Sequence, residues 1–412
     1  MKQAQAAICV IVGASHAGSL LALQVRKEGW QGRIILLSAE THLPYHRPPL
    51  SKTVLAGEKT VDSILLRPEL LYINNQIELR LGAEVVSIAR EQRQVYLASG
   101  ECIAYDKLAL CTGATPRRLP LAESLPGVHY LRNADDVLAL RAAMTSAQRA
   151  VILGGGYIGL EVAAVMASHG LQVTVVEATP RLLQRVASPV ISEYFRCLHE
   201  SRRVQVRTGT TVTDMAVEQD ELRLSFSVGE DCATDLLIVG IGVLPQTELA
   251  AAAGLEVDEG IVVDAHMRTS DPDIVAAGDC TAFPSARYGR RLRLESVQNA
   301  LDQARVAAAS ICGKTLIYEA LPWFWSDQYE YKLQSAGLRL DHEQEIVRGN
   351  PQLLDAKGIS VFYLRGDRMI AADCVNRAKE FMACKRLIAE RLPVNLAALS
   401  DETASVDDFE QR

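Results

Sequence analysis

A chain of 412 residues that is 49% hydrophobic can bury more than one core, and at about 150 residues per domain it has room for two or three. Its net charge of −7 gives the bulk surface no attraction for nucleic acid or anionic membrane, leaving only a local basic patch to serve an acidic partner. Frequent glycine (27) with few aromatics (5%) suits a glycine-punctuated α/β enzyme better than a β-sandwich. The nine cysteines are scattered, with no Cys-x-x-Cys and no ligand-like cluster, so no metal site is expected. They read as reduced thiols of a cytoplasmic protein.

In chain order, the apolar run Ala6–Val12 is too short for a signal or a span and leads straight into a glycine turn, which predicts a first β-strand. Ile8–Gly18 places that strand before Gly13-Ala-Ser-His-Ala-Gly18 and a helix, and the next buried strand, Ile34–Glu40, ends in an acid. The pattern recurs at Ala150–Gly159 and Val173–Glu177, so the chain carries two βαβ dinucleotide units. A helix N-terminus meets a pyrophosphate with backbone amides, and glycines let the two approach closely. The second copy satisfies G-x-G-x-x-G with Gly154, Gly156 and Gly159, and Glu177 is placed for ribose hydroxyls. A carboxylate there repels a 2′-phosphate and favours NADH, with Arg181 and Arg185 the residues that count against that preference. The first copy departs from the pattern, with Ser15 at the middle glycine. Glu40, Cys111-Thr-Gly-Ala114 and Ala276-Ala-Gly-Asp279 support it as a flavin site beside a nicotinamide site.

Val204–Phe226 alternates as half-buried antiparallel strands do. Asp235–Gly242 and Asp273–Asp279 are further strands, and Ser296–Cys312 is one helix stopped by Gly313. From Pro322 the chain changes character, with Trp323, Phe324, Trp325, Tyr329 and Tyr331 close together. Strands at Glu345–Arg348, Ile359–Leu364 and Met369–Asp373 and a helix at Arg377–Glu390 follow. The acidic tail Ser400–Arg412 is expected to fray. No cysteine lies between Cys9 and Cys102, and Cys111 and Cys280 stand singly in apolar strands, which reads as packing. Electrons must then leave a flavin directly for an external acceptor.

The set Gly13–Gly18, His46-Arg-Pro-Pro-Leu-Ser-Lys52, Thr112-Gly113, Gly154–Glu161, Gly278-Asp279 and Pro322-Trp-Phe-Trp-Ser-Asp-Gln328 resembles the putidaredoxin reductase-like family of ferredoxin reductases, over nearly the whole chain. The reductase component of biphenyl dioxygenase is similar. The resemblance implies an α/β, glutathione-reductase-like fold. Its parts would be a discontinuous FAD-binding domain (1–114 and 245–320), an inserted NAD-binding domain (115–244) and a C-terminal α+β interface domain (321–412). It also implies FAD and NADH as cofactors and a [2Fe–2S] ferredoxin as partner, supplying a haem monooxygenase or Rieske dioxygenase. No nucleic acid or membrane is expected, and the protein would be a monomer or a weak dimer.

Carried over by position, Gly13, Ser15, His16 and Ala17 face the FAD pyrophosphate and Glu40 the adenosine ribose, with Val85, Thr112 and Gly113 also binding the cofactor. Arg47 and Lys52 fall on the flavin side. Arg132 approaches from the inserted domain, although pairing with Asp135 or Asp136 is an equal reading. Asp279 holds the ribityl–pyrophosphate region, and Val297, at a helix N-terminus, offers backbone to the isoalloxazine. Gly154, Gly156, Tyr157, Ile158, Gly159, Glu177, Arg185 and Gly242 line NADH. Lys52, Glu161 and Trp325 are the catalytic candidates, with Lys52 expected to pair with Glu161 when nicotinamide is absent. Trp325 either stacks near the nicotinamide pocket or bridges the flavin to the surface. Arg287, Arg290, Arg291 and Arg293, with Lys332 and Arg339, form a candidate docking surface for an acidic ferredoxin, against the plainer reading of a solvated charge run. Alternatives on the same scaffold are an NADH oxidase, a rubredoxin reductase, a monodehydroascorbate reductase and a redox-sensing flavoprotein of the apoptosis-inducing-factor type.

Overall fold

The structure, a computed structural model, describes residues 7–122, 125–218 and 221–411. The chain divides into two compact units. The first comprises the residues up to His46 with Thr60–Thr115 and Val243–Ala320, and the second comprises Arg47–Lys59, Pro116–Gly242 and the residues from Leu321 onward.

The first unit is built on a five-stranded sheet ordered Ile274–Ala276, Lys107–Leu110, Ile8–Val12, Arg33–Leu37, Ile77–Arg80, with every pairing parallel. Its strands are near-continuous apolar runs because both faces are covered, and Val10, Ile11, Ile35 and Leu36 have no exposed surface. The helices His16–Lys27 and Val297–Ile311 pack against each other, and Ala300, Ala304, Ala307 and Ala308 of the second are buried. A three-stranded antiparallel meander, Val85–Ala89, Gln94–Leu97 and Cys102–Ala104, has no counterpart in the sequence reading. Its short strands expose alternate residues and carry little hydrophobic signal.

The second unit holds another five-stranded parallel sheet, ordered Gln205–Thr208, Gln172–Glu177, Arg149–Leu153, Leu236–Val239, Val128–His129. The reading of 204–226 as antiparallel throughout is corrected at its start. Gln205–Thr208 follows a crossover helix, Pro189–Ser201, and therefore joins Gln172–Glu177 in parallel. Val212–Glu218 pairs antiparallel with Glu221–Phe226, which pairs antiparallel in turn with Cys232–Thr234 at the edge.

The C-terminal part of this unit is a five-stranded antiparallel sheet, ordered Trp323–Gln328, Tyr331–Gly337, Arg368–Val375, Ile359–Arg365, Gln344–Arg348. Phe381, Cys384, Leu387 and Ile388 of helix Ala378–Glu390 close one core with Phe362 and Leu364. Residues 400–411 do not fray, and Arg412 lies outside the described residues. Phe409 is fully buried beside Phe362, and the segment carries its own short 3-10 turn at Val406–Asp408. One aromatic anchor outweighs the acidic composition that suggested a loose end.

Candidate active site

Each parallel sheet places a glycine turn where its strand order reverses, the crevice in which such sheets bind dinucleotides. In the second unit the three glycines have separable jobs. Gly154 has φ +105°, and a Cβ there would lie 2.3 Å from the Gly240 carbonyl oxygen, so it makes the tight turn. Gly156 caps the helix Tyr157–Ser168, and its Cβ position faces open space, as a closely approaching pyrophosphate needs. Gly159 packs helix on strand, a Cβ there falling 2.2 Å from the Gly154 carbonyl oxygen. The first-turn amides of such a helix have no intrahelical acceptor and are available to an anion. These residues fit a dinucleotide. Gly154→Ala is expected to weaken NADH binding by tenfold or more while leaving bound FAD unchanged. Wild-type affinity in a fluorescence titration would count against this role.

The first unit repeats the arrangement. Gly13 has φ +101°, with the Cys111 carbonyl oxygen 2.2 Å from its Cβ position, and Gly18 packs back on the Gly13 carbonyl. Ser15 caps helix His16–Lys27 at φ −89°, a backbone open to any residue, so the departure from glycine costs nothing locally. Around this turn lie Ala17, Thr112, Gly113 and the Gly278-Asp279 turn, with Gly278 packed on Ala17. Thr112 donates to the Gln246 carbonyl at 2.7 Å. Buried Gln303 accepts from the Gly278 amide at 2.7 Å and from the Thr281 hydroxyl at 2.9 Å, tying the Asp279 turn to helix Val297–Ile311. Sequence reasoning missed Gln303. Glu40 accepts from the Tyr45 hydroxyl. His16 is buried against the His46 ring, and Val85 is a core residue. The cradle fits the adenosine–pyrophosphate half of FAD. Burial pushes the Cys111 and Cys280 thiols up, as suits packing residues, and all nine cysteines are free.

Glu177 is held in place by local donors. Its Oε2 accepts the Gly155 amide at 2.6 Å, and Oε1 accepts both the amide and hydroxyl of Thr179 at 2.7 Å. Arg181, a candidate phosphate ligand in the sequence, donates to the Ala187 carbonyl at 2.7 Å and to Ser192 at 2.6 Å. That engagement ties Arg181 to its own segment, whereas Arg185 is exposed. Ile158 is also exposed, and Gly242 has φ +106° beside open space.

The second unit also contains a buried charge cage. Lys52 Nζ lies 2.6 Å from Glu161 Oε2, the pair expected from the sequence, and Ser51 donates to the same oxygen at 2.5 Å. Ser326 donates to Oε1 at 2.6 Å. Glu161 is 4% exposed and sits one turn beyond Tyr157, whose ring lies 4.5 Å from that of Phe324. The match is geometric. Helix positions four apart rise about 6 Å, and strand positions two apart about 6.6 Å, so Tyr157 and Glu161 meet Phe324 and Ser326 in register. Ser51 and Ser326 were not named as site residues, although both lie inside the quoted motifs. Trp325 points to the other face of the strand, toward Trp323 at 5.6 Å, and is not brought to Glu161. Arg47 donates to the Arg132 carbonyl at 2.7 Å, and the Arg132 amide donates to Asp136 at 2.8 Å.

Beyond Ser326, Gln328 continues the strand face, with its Nε2 3.2 Å from the Ser326 hydroxyl and its Oε1 2.8 Å from His199 Nε2. Burial pushes the His199 imidazole down from 6.5 to about 4. Unfolded, it takes a proton near its ordinary value, so between those pH values the unfolded chain binds the extra proton and stability falls with falling pH. We expect a loss of about 2 kcal/mol between pH 7 and pH 5 from this residue. His199→Gln should flatten that part of the urea-midpoint profile. An unchanged profile would show the slope comes from elsewhere.

The arginine run carries less free charge than its sequence suggests. Arg291 pairs with Asp258 at 2.7 Å, Arg293 with Glu295 at 2.5 Å, and Lys332 with Asp327 at 3.4 Å.

Two parallel sheets with glycine turns at their switch points, no dithiol beside either turn, and a buried Lys–Glu cage define a pyridine-nucleotide oxidoreductase. Residues 8–304 match the pyridine nucleotide-disulphide oxidoreductase family, and residues 323–409 match the reductase C-terminal family. Putidaredoxin reductase of Pseudomonas putida is 44% identical over 407 residues, covering 97% of this chain and 96% of that one. Rhodocoxin reductase of Rhodococcus erythropolis is 42% identical, covering 97% and 92%. The crystal structure of the covalent putidaredoxin reductase–putidaredoxin complex superposes with a TM-score of 0.93 at 44% identity, covering 98% of this chain and 97% of that one. The chain belongs to the FAD-dependent ferredoxin reductase family of the putidaredoxin reductase type.

Proposed function

We propose that the protein is an NADH-dependent, FAD-containing reductase that delivers electrons singly to a [2Fe–2S] ferredoxin serving an oxygenase. The near-full-length likeness to putidaredoxin reductase carries this reading. Bound FAD supplies the capacity to take two electrons together and release them one at a time.

The chain's own residues bind and orient. In this reading Gly13, Ser15, His16, Ala17, Glu40, Val85, Thr112, Gly113, Asp279 and Val297 hold FAD, with Arg47 and Arg132 assisting. Gly154, Gly156, Tyr157, Ile158, Gly159, Glu177, Arg185 and Gly242 receive NADH. Lys52 and Glu161 set the local charge where hydride moves, and Trp325 lines the route outward. The three-domain division at 114/115, 244/245 and 320/321 belongs to the same proposal. Among the described residues no helix is long and apolar enough to cross a membrane, and nine free thiols support a reducing cytoplasm.

Anaerobic reduction by NADH, followed by rapid mixing with [2Fe–2S] ferredoxins, a rubredoxin or oxygen, tests the assignment. Fast one-electron transfer to a ferredoxin is expected, and fast turnover with oxygen alone would overturn it. Charge reversal at Arg290 and Arg291 together should slow ferredoxin reduction and flatten its salt dependence, and no change would remove this surface from the docking site.

A further inference from the structure

The buried chain that leaves Glu161 has a direction. An ionised carboxylate facing Lys52 can only accept, so the single Ser326 hydroxyl proton, 2.6 Å from Oε1, is donated to Glu161. The Ser326 oxygen is then left to accept from Gln328 Nε2. That turns Gln328 Oε1 toward His199, so His199 Nε2 must carry a hydrogen, and in a neutral ring Nδ1 then accepts from the Tyr329 hydroxyl at 3.4 Å. Every donor from Tyr329 to Ser326 points toward Glu161. The amide of Gln328 passes no proton, which rules the chain out as a proton wire and leaves orientation as its use.

We propose that Ser326, Gln328, His199 and Tyr329 are positioning residues that act through Glu161, a one-directional donor chain holding its carboxylate against Lys52 for hydride transfer. The catalytic consequence rests on the role assigned to Glu161 above. Ser326, Gln328 and His199 are at most 1% exposed, so the chain is shielded from bulk solvent. Tyr329 stands at φ +55° in the turn after the strand, a conformation costly for a bulky residue, and its ring lies 5.3 Å from that of His199. The groups facing Glu161 are Lys52, Ser51, Ser326 and, one turn away, Tyr157. His199 faces Gln328 and Tyr329, and Arg202, paired with Glu330, lies over the Tyr329 ring at 5.2 Å.

Two-bond proton–nitrogen correlation spectra of the ¹⁵N-histidine-labelled holoprotein at pH 7 read the tautomer without any substitution at the site, His199→Gln serving only to assign the signal. A neutral Nε2–H imidazole at His199 is expected, and an Nδ1–H or charged ring overturns the chain. Stopped-flow reduction by NADH should then fall about tenfold in His199→Phe and in Gln328→Leu, with NADH affinity within twofold. His199→Gln, which keeps a donor at the Nε2 position, should restore the rate. If both apolar variants retain FAD and reduce at the wild-type rate while Glu161→Gln is slow, the positioning role is wrong and the Glu161 reading survives. If Glu161→Gln itself is fast, the Glu161 reading fails and the catalytic consequence with it, and the tautomer alone judges the chain.

Discussion

Replacing Lys52 with methionine is expected to slow flavin reduction by NADH by about 100-fold, the usual cost of removing one preorganised charge from a reacting centre. Methionine keeps the length of the stem and removes only the ammonium. Glu161, 4% exposed, would keep Ser51 and Ser326 as donors but lose its counter-ion 2.6 Å away. A carboxylate in that position either takes up a proton or swings from its site, and in both cases the charge pattern is gone. Glu161→Gln should be milder in stability, because an amide still fits between the two serines, and comparable in rate. Single-turnover bleaching of the flavin under anaerobic conditions separates this from an effect on affinity. A Lys52→Met protein that binds FAD and is reduced at the wild-type rate would show the cage to be purely structural.

Arg348→Met should destabilise the C-terminal sheet by about 3–5 kcal/mol, because several chain-end carbonyls lose their donor at about 1–3 kcal/mol each, while Glu380 keeps Arg377 at 2.9 Å. The Arg348 guanidinium is buried and gathers the end of the chain around itself. Nε lies 3.0 Å from Glu380, and the remaining nitrogens donate to the carbonyls of Ala398 at 2.9 Å, Asp401, Glu402 at 3.3 Å and Ala404 at 2.7 Å. Phe409 lies under the same group, 5.1 Å from its central carbon. Methionine fills the volume and satisfies none of these acceptors. Arg348→Lys should rescue little, since one ammonium cannot span the fork of carbonyls. A lower urea midpoint with faster proteolysis after Ser400 is the expected result. An unchanged midpoint would mean that Phe409 alone holds the tail.

Some of the site was legible residue by residue. The glycine turns announce themselves because steric demands are local: Gly154 needs positive φ and Gly159 needs to lack a Cβ wherever strand, turn and helix meet this way. Lys52 and Glu161 were likewise visible through the motifs around them. Ser51 and Ser326 were not singled out, because a serine in a motif looks the same whether it is solvated or donating to a buried carboxylate. Gln303 and His199 carried no signal at all. Each sits on an ordinary amphipathic helix, and its function depends on what the fold brings opposite.

The same division explains the two corrections. Whether Gln205–Thr208 pairs parallel or antiparallel is decided by the helix before it and the sheet edge it reaches, which periodicity within the strand does not encode. Whether Ser400–Gln411 frays is decided by Arg348 and Phe362, elements distant in sequence.

The motif resemblance supplied the Lys52–Glu161 pairing, whereas the sequence by itself determined the two dinucleotide units, the placement of Glu177 and the lack of a cysteine between Cys9 and Cys102. These follow from short-range geometry and from the chemistry of single residue types. Only the tertiary structure decided which neutral groups complete the Glu161 cage, which way the hydrogen bonds behind it run, and which arginines of the 287–293 run are already paired. The bonds of Ser51 and Ser326 to Glu161 and of His199 to Gln328 join atoms more than a hundred residues apart in the chain, where a shift of about an ångström separates a hydrogen bond from none.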